Sequence, residues 1–168
     1  VLSIIYHMII FLSGSINSGK TTIAHLLKKE FTASAHIEVD VLHDMVEWMP
    51  LEDAIPLNLK NALALTNNFI EEDLDVIISY PLSKAEYEYF NQSLPLDIQR
   101  FFFTLNPRLD HALTNRGSRE LTGWEIERIK YHYETGINDP GFGIVLDTTM
   151  HSPEDTVNEI LYYIEQRE

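Results

Sequence analysis

The chain has no cysteine, which excludes disulfides, thiolate metal sites and thiol nucleophiles and is compatible with a reducing cytosol. Basic residues are few: 12 Lys and Arg face 26 Asp and Glu, leaving a formal charge of −14. A field of that sign repels nucleic acid and anionic lipid, so no nucleic acid and no membrane is expected as a partner, and a bound anion needs its own cluster of donors. The seven histidines include no H-x-x-x-H pair, so each is expected on the surface or satisfied in the core rather than on zinc. Internal repeats, linkers and low-complexity segments are missing as well. The apolar run from Val1 to Leu12 is interrupted by Ser3, Tyr6 and His7, has no basic flank and leads straight into a glycine loop; it is expected to be a buried strand, not a signal peptide or a membrane span. A cytoplasmic protein is the expectation these features favour.

What is present is apolar sequence from end to end. With 45% hydrophobic residues over 168 positions the chain can build one compact domain, 1–168. Strands are expected over Leu2 to Leu12, His36 to Val39, Asp75 to Tyr80, Ile98 to Leu105 and Gly143 to Leu146. Helices are expected from Lys20 to Phe31, through Met45 and Trp48 to Pro50, and from near Pro56 along Leu59, Leu63, Thr66, Ile70 and Leu74. Ser83 is a candidate cap for the next helix, Asn106 and Pro107 open another towards Leu113, and the last two run from Trp124 to Glu134 and from Ser152 to Glu165. Strands alternating with helices imply right-handed crossovers and a parallel sheet covered on both faces, an α/β architecture of three layers, α/β/α. The acidic runs Glu71 to Asp75 and Glu86 to Glu88 are expected to be solvated.

One segment carries specific chemistry. GSINSGKT, Gly14 to Thr21, fits the Walker A pattern G-x-x-x-x-G-K-[ST] and stands between a strand and a helix. Gly14 and Gly19 permit backbone angles closed to other residues, so the amides of Ser15, Ile16, Asn17 and Ser18, and those from Gly19 to Thr22, can curl around phosphates at the positive end of the helix. Lys20 would reach the β- and γ-phosphates of ATP and Thr21 would coordinate Mg²⁺. No N-K-x-D segment, the usual mark of guanine specificity, occurs.

The remaining candidates lie around that loop. NRGSRELTG, Asn115 to Gly123, has the character of a mobile lid whose Arg116 and Arg119 would close on the phosphates; the alternative is a solvated connection with two surface arginines. Arg128, one turn into the next helix, would reach the site or pair with Glu125 or Glu127. In IEVD, alternation along an extended segment puts Glu38 and Asp40 on one side at the strand's carboxyl end, where ligands of open α/β sheets bind. Asp40 would accept the proton of a substrate hydroxyl or cap the helix VLHDMVEW, and Glu38 would hold a water on Mg²⁺. Met45, Trp48, Met49 and Tyr80 would line an apolar acceptor site or pack the core. Tyr131, His132 and Tyr133 are expected to pack the helix after the lid.

The glycine loop, the E-V-D strand end, R-G-S-R and the late V-L-D-T-T followed by S-P-E together resemble the shikimate kinase and chloramphenicol phosphotransferase branch of phosphate-loop kinases. The resemblance implies a five-stranded parallel sheet in the order 2-3-1-4-5, MgATP as donor and an acceptor hydroxyl near the second strand. It makes Asp40 the residue that activates the acceptor, puts Glu38 where the D-x-D of shikimate kinases has Asp, makes Arg119 the lid arginine and lays Arg116 against adenine. Asp147 to Asp155 would border the adenine with Pro153 in contact, while Ser152 caps the last helix. No arginine stands between Lys20 and Gln99 to hold an anionic acceptor, so a neutral or weakly charged small molecule is the expected acceptor of an ATP-dependent kinase. The alternative is an ATP-binding switch module read by a partner protein.

Overall fold

A computed structural model describes residues 7–115 and 120–167. Strand β1, Met8–Gly14, is buried at every position and runs up the middle of the molecule. Side chains alternate across a strand, so a strand covered on both faces reads as a continuous apolar run. Met8, Ile10 and Leu12 pack on one face with Ile23, Ala24 and Leu27 of helix α1, Lys20–Leu27, and with Val157, Ile160 and Ile164 of helix α7, Pro153–Glu165. Ile9 and Phe11 pack on the other with Leu59 and Ala62 of helix α3, Leu51–Glu71, and with Phe90 of helix α4, Lys84–Ser93. Phe11 stacks on Phe102 with ring centroids 4.4 Å apart.

The parallel sheet has the order β2-β3-β1-β4-β5, with β2 Ser34–Glu38, β3 Asp75–Ser79, β4 Gln99–Leu105 and β5 Ile144–Leu146. The result is the expected three-layer α/β/α fold. The register sets Glu38 opposite Ser79 and Ser79 opposite Leu12, so the loops leaving β1, β2 and β3 emerge together. Because the connection after β1 goes one way along the sheet and the connection after β3 goes the other, the crevice beside β1 is the place where such folds hold ligands.

Several elements differ from the sequence expectation. Strand β2 ends at Glu38, and Asp40 lies in the first turn of a one-turn helix α2, Val39–Leu42, so the extended alternation assumed for Glu38 and Asp40 does not continue. The helix expected to reach Pro50 breaks into α2 and a 3-10 turn, His43–Val46, because Met45 and Trp48 meet no core: they are 75% and 77% exposed. Helix α3 starts at Leu51 and runs through Pro56, at the loss of the backbone bond a proline cannot donate. Asp75 is not solvated; it accepts the Met8 amide at 3.0 Å, and burial raises its carboxyl above the ordinary range.

Helix starts follow their sequence signals. Ser83 with Glu86, Thr122 with Glu125 and Ser152 with Asp155 each form a reciprocal capping box at α4, at α6, Gly123–Glu134, and at α7. Helix α5 is a single turn, Leu109–Ala112. Among the described residues no helix is long and apolar enough to cross a membrane.

Candidate active site

The glycine loop has the backbone its sequence requires. Gly14 sits at φ 134°, and a Cβ there would meet the Leu105 carbonyl oxygen at 2.5 Å and Ser18 Oγ at 2.7 Å. Gly19, at φ 99°, caps α1 with open space around it, so only its dihedral angle demands glycine. Asn17 takes a left-handed conformation, φ 62°, without being glycine. Its amide offsets the cost by donating to the carbonyls of Ala112 at 2.8 Å and Thr114 at 3.0 Å, groups that the end of α5 leaves open. Lys20 Nζ lies over the loop, donating to the carbonyls of Gly14 at 3.0 Å and Ser15 at 2.8 Å.

The back of the loop is dry. Ser15 and Ser18 are buried, and Ser15 Oγ is 3.1 Å from His132 Nδ1 on α6. Ser18 Oγ is buried with no hydrogen-bond partner among the described residues, an unsettled position for a hydroxyl that ordinarily costs stability. Beneath the loop, Ser13 Oγ accepts the Leu82 amide at 2.9 Å and ties β1 to the chain leaving β3.

In front of the loop is a cavity of about 860 Å³. Ile16, Asn17, Gly19, Lys20, Thr21 and Thr22 line it together with Glu38 and Asp40. Thr21 Oγ1 donates to Glu38 Oε1 at 2.7 Å. Two hard oxygen donors side by side at the phosphate loop suit Mg²⁺, which keeps most of its waters and takes phosphate oxygens as ligands instead of an all-protein cage. No cluster of three or more His, Asp or Glu that could hold a metal ion occurs among the described residues.

Asp40 is open to the water of the cavity and enclosed by its walls. That enclosure pushes its carboxyl above the ordinary range; Lys20 pulls it down and Glu38 pushes it up again. Burial, with Asp40 and Glu86 nearby, raises the Tyr80 hydroxyl far above neutrality, so it remains a neutral hydrogen-bonding group. Tyr80, Pro81, Ser83 and Glu86 enter from the end of β3, Leu51 and Ile55 from α3, and His43 from the turn after α2.

Helix α6 closes the remaining side, and most of its contribution was not anticipated. Trp124, Arg128, Tyr131 and Thr135 recur at helical spacing and all line the cavity. The spacing was visible in the sequence, but a stripe of mixed polarity that stays largely exposed does not announce a cavity wall. Glu127 pairs with Lys130 at 2.8 Å, and Arg128 lies over the Tyr131 ring, 4.9 Å from its centroid. His132 is 3% exposed; burial first, then the cations Arg128 and Lys20, pull its imidazole down to about 4. His132 and Tyr133 meet the expectation of packing, Tyr133 donating to the Pro107 carbonyl, whereas Tyr131 is half exposed.

Arg116 and Arg119 lie outside the described residues. Pro153 begins α7 after the Ser152 cap, exposed and apart from the residues that line the cavity. The turn before it is anchored: Thr149 Oγ1 accepts the Arg108 amide at 2.9 Å and donates to Asp147, which holds the segment after β5 beside the start of α5. Met45, Trp48 and Met49 do not line the cavity, whereas Tyr80 does.

No protein-family model matches the chain. A uridine kinase of Bacillus licheniformis is 26% identical over 85 residues, which are 49% of this chain and 40% of that enzyme's length. Among solved structures, a sugar kinase from Janibacter sp. HTCC2649 superposes with a TM-score of 0.72 at 19% identity, covering 95% of each chain. The APS kinase of Mycobacterium tuberculosis gives 0.70 at 16% identity, covering 95% of this chain and 98% of that one. Shikimate kinase from Aquifex aeolicus gives 0.59 at 17% identity over 95% and 98%. The chain has the fold of phosphate-loop small-molecule kinases; the likeness extends to several of their families and is no stronger for shikimate kinase than for the others.

Proposed function

We propose that the chain is an ATP-dependent phosphotransferase that phosphorylates a hydroxyl of a neutral or weakly charged small molecule. The observation that carries this reading is one cavity lined at once by Lys20, Thr21 and Asp40. MgATP, when bound, supplies the phosphoryl group and the metal charge that neutralises it. The backbone from Gly14 to Thr22 binds the phosphates, and Lys20 exchanges two loop carbonyls for phosphate oxygens. Thr21 and Glu38 hold the metal directly or through water.

Asp40 orients the acceptor hydroxyl and takes its proton as the new oxygen–phosphorus bond forms. A carboxyl raised by enclosure is better matched to proton transfer near neutral pH than an ordinary one. Arg119, with Arg116 beside it in the sequence, is the lid cation in this reading. The acceptor end offers Tyr80, Leu51 and Ile55, and among the described residues its one arginine or lysine is Arg128, which acts on the Asp40 carboxylate with Glu86 in the same lining, so a fully anionic acceptor is poorly matched. The fold's presence in both a sugar kinase and an APS kinase supports phosphoryl transfer to a small molecule without choosing the acceptor.

The test is a screen of hydroxylated metabolites and antibiotics for ATP-dependent phosphorylation, read by mass shift. Lys20→Ala is expected to weaken triphosphate binding by about two orders of magnitude or more, as befits a lost charge-assisted contact. Unchanged nucleotide affinity in that variant overturns the reading. Steady ATP hydrolysis that no acceptor stimulates, together with tolerance of Asp40→Asn, favours the switch module instead.

A further inference from the structure

His132 is among the most enclosed polar side chains of the molecule, at 3% exposed, and it is placed where the phosphate loop and the cavity meet. One edge of its ring is committed: Nδ1 lies 3.1 Å from the hydroxyl of Ser15, the residue that follows the first loop glycine. Ser15 is itself fully buried, and this is the hydrogen bond its hydroxyl makes among the described residues. Were the ring proton on Nδ1, the serine hydrogen would be left buried without an acceptor, which costs stability. With the serine donating to Nδ1, what goes unfilled is acceptor capacity, which buried groups tolerate better than an orphaned donor. The serine therefore fixes the tautomer, and the proton of the neutral ring resides on Nε2, the nitrogen left to the cavity.

Contacts with the loop locate this donor along the cavity. Lys20 Nζ, the group that would reach the β- and γ-phosphates, donates to the Ser15 carbonyl at 2.8 Å, while His132 meets the hydroxyl of the same residue at 3.1 Å. His132 and Lys20 thus converge on Ser15, and both line the cavity. Buried, and with the cations Arg128 and Lys20 acting on it, the ring is kept uncharged, so it offers a hydrogen-bond donor that needs no counter-charge before the ligand arrives.

Resting on the phosphotransferase reading, we propose that His132 contacts the ligand: its Nε2–H donates to an oxygen of the terminal phosphoryl group of the nucleotide, while Ser15 holds the ring in the donating tautomer. The role differs from the packing role that its place on α6 suggests. A residue that only props the loop would matter equally for every nucleotide the loop holds. A donor to the terminal group matters for a triphosphate and not for a diphosphate.

Two substitutions separate these roles, because an asparagine amide reproduces the Nδ1 side of the ring and a glutamine amide reaches the position of Nε2. His132→Asn is expected to weaken binding of a non-hydrolysable ATP analogue by about tenfold or more, the scale of a hydrogen bond to a charged group, and to leave ADP within about twofold. His132→Gln is expected to bring the analogue back to within about threefold of wild type, since the donor is restored. In the unliganded protein, ¹⁵N resonances of the imidazole should report a protonated Nε2. Equal weakening of both nucleotides in His132→Asn, no weakening of either, or a protonated Nδ1 overturns the proposal. Should His132→Asn not fold, Ser15→Ala carries the test: freeing the ring is expected to mix the tautomers and reduce the preference for triphosphate, and an unchanged spectrum with unchanged preference overturns it. A wild-type protein that binds neither nucleotide brings down the phosphotransferase reading together with this one, whereas normal wild-type binding with unaffected variants brings down this one alone.

Discussion

At the phosphate end of the cavity several loop residues are tied to distant parts of the chain or to the loop's own backbone, while at the acceptor end large side chains stand in solvent. Gly14 is backed against the Leu105 carbonyl, Ser15 is tied to His132, Asn17 to two carbonyls near the end of α5, and Lys20 to two carbonyls of the loop. At the other end of the cavity, α2 is one turn long, and Trp124 and Tyr131, which line the cavity, are 61% and 50% exposed. A phosphate chain has one shape and a fixed charge, so preorganising its cradle once removes a cost from every binding event. An acceptor site can be left loose, to be completed by the acceptor's own apolar surface. The difference assigns rigidity to the shared chemistry and adaptability to the specific one.

The largest expected effect separates the two ends outright. Asp40→Asn keeps shape and removes the base, so with an acceptor from the screen the turnover should fall by about 10²- to 10⁴-fold, the range of general base catalysis. Nucleotide affinity should stay within about twofold, since the phosphate cradle is untouched. In the wild type the acid limb of the rate should lie above the ordinary carboxylate value of about 4, because enclosure raises Asp40, and activity is lost as pH falls through that raised value. An acid limb that survives in Asp40→Asn would place the base elsewhere.

Next in size is a pair of glycine variants that asks whether the cradle is as over-determined as it looks. Gly14→Ala combines a left-handed φ with a Cβ 2.5 Å from a backbone oxygen that cannot step aside, and should cost about 2–5 kcal/mol in chemical denaturation. Gly19→Ala meets only the dihedral penalty, since nothing lies within 4 Å, and should cost about 1–2 kcal/mol. Equal losses would mean that the contact with Leu105 relaxes, and the phosphate end would then be as yielding as the acceptor end.

The same contrast decides what the sequence could reveal. The loop Gly14–Thr21 and the central strand were legible because glycine placement and an apolar run covered on both faces constrain the backbone locally, whereas the sheet order came from the family resemblance and not from any local pattern. Asp40 was placed near the site but in the wrong local structure, since period-two reasoning holds only while the strand lasts, and β2 stops at Glu38. The start of α3 was missed because Pro56 was taken as an opening residue when the helix runs through it. His132 was expected only to pack its helix, and its contact with the phosphate loop escaped: its partner Ser15 is 117 positions away, and no local pattern encodes a contact of that separation. The stripe of Trp124, Arg128 and Tyr131 was present at the right spacing, yet only the folded cavity gives those residues a common direction.

Stability against pH offers a third, smaller test of the phosphate end. In the folded chain His132 titrates near 4 instead of 6.5, so between those values the unfolded chain binds the extra proton and stability rises with pH. The contribution is full above about 6.5 and is lost as pH falls towards about 4, amounting to about 2–3 kcal/mol. His36, also lowered by burial, works in the same direction, whereas Asp40 and Asp75, both raised, oppose it at the acid side. The difference between wild type and His132→Gln isolates the one term: the variant's stability should fall less steeply between pH 7 and pH 4. Parallel profiles would mean that water reaches the ring and the back of the loop is not dry.

Trp124→Ala is the smallest change in stability and the sharpest probe of the acceptor end. The indole lines the cavity from the first turn of α6, but most of it lies in water, so folding gains little from it and removal should alter stability by no more than about 0.5 kcal/mol. What the indole offers is area that an acceptor can cover. Burying even part of an aromatic side chain against a ligand is worth about 1–2 kcal/mol, so KM for the acceptor should rise by about tenfold with kcat and nucleotide affinity nearly unchanged. A loss shared between acceptor and nucleotide would tie α6 to the phosphate loop instead, by way of His132 two turns further on. An unchanged KM together with a clear loss of stability would show the indole to be part of the packing, and the looseness ascribed to the acceptor end would have to be given up at this position.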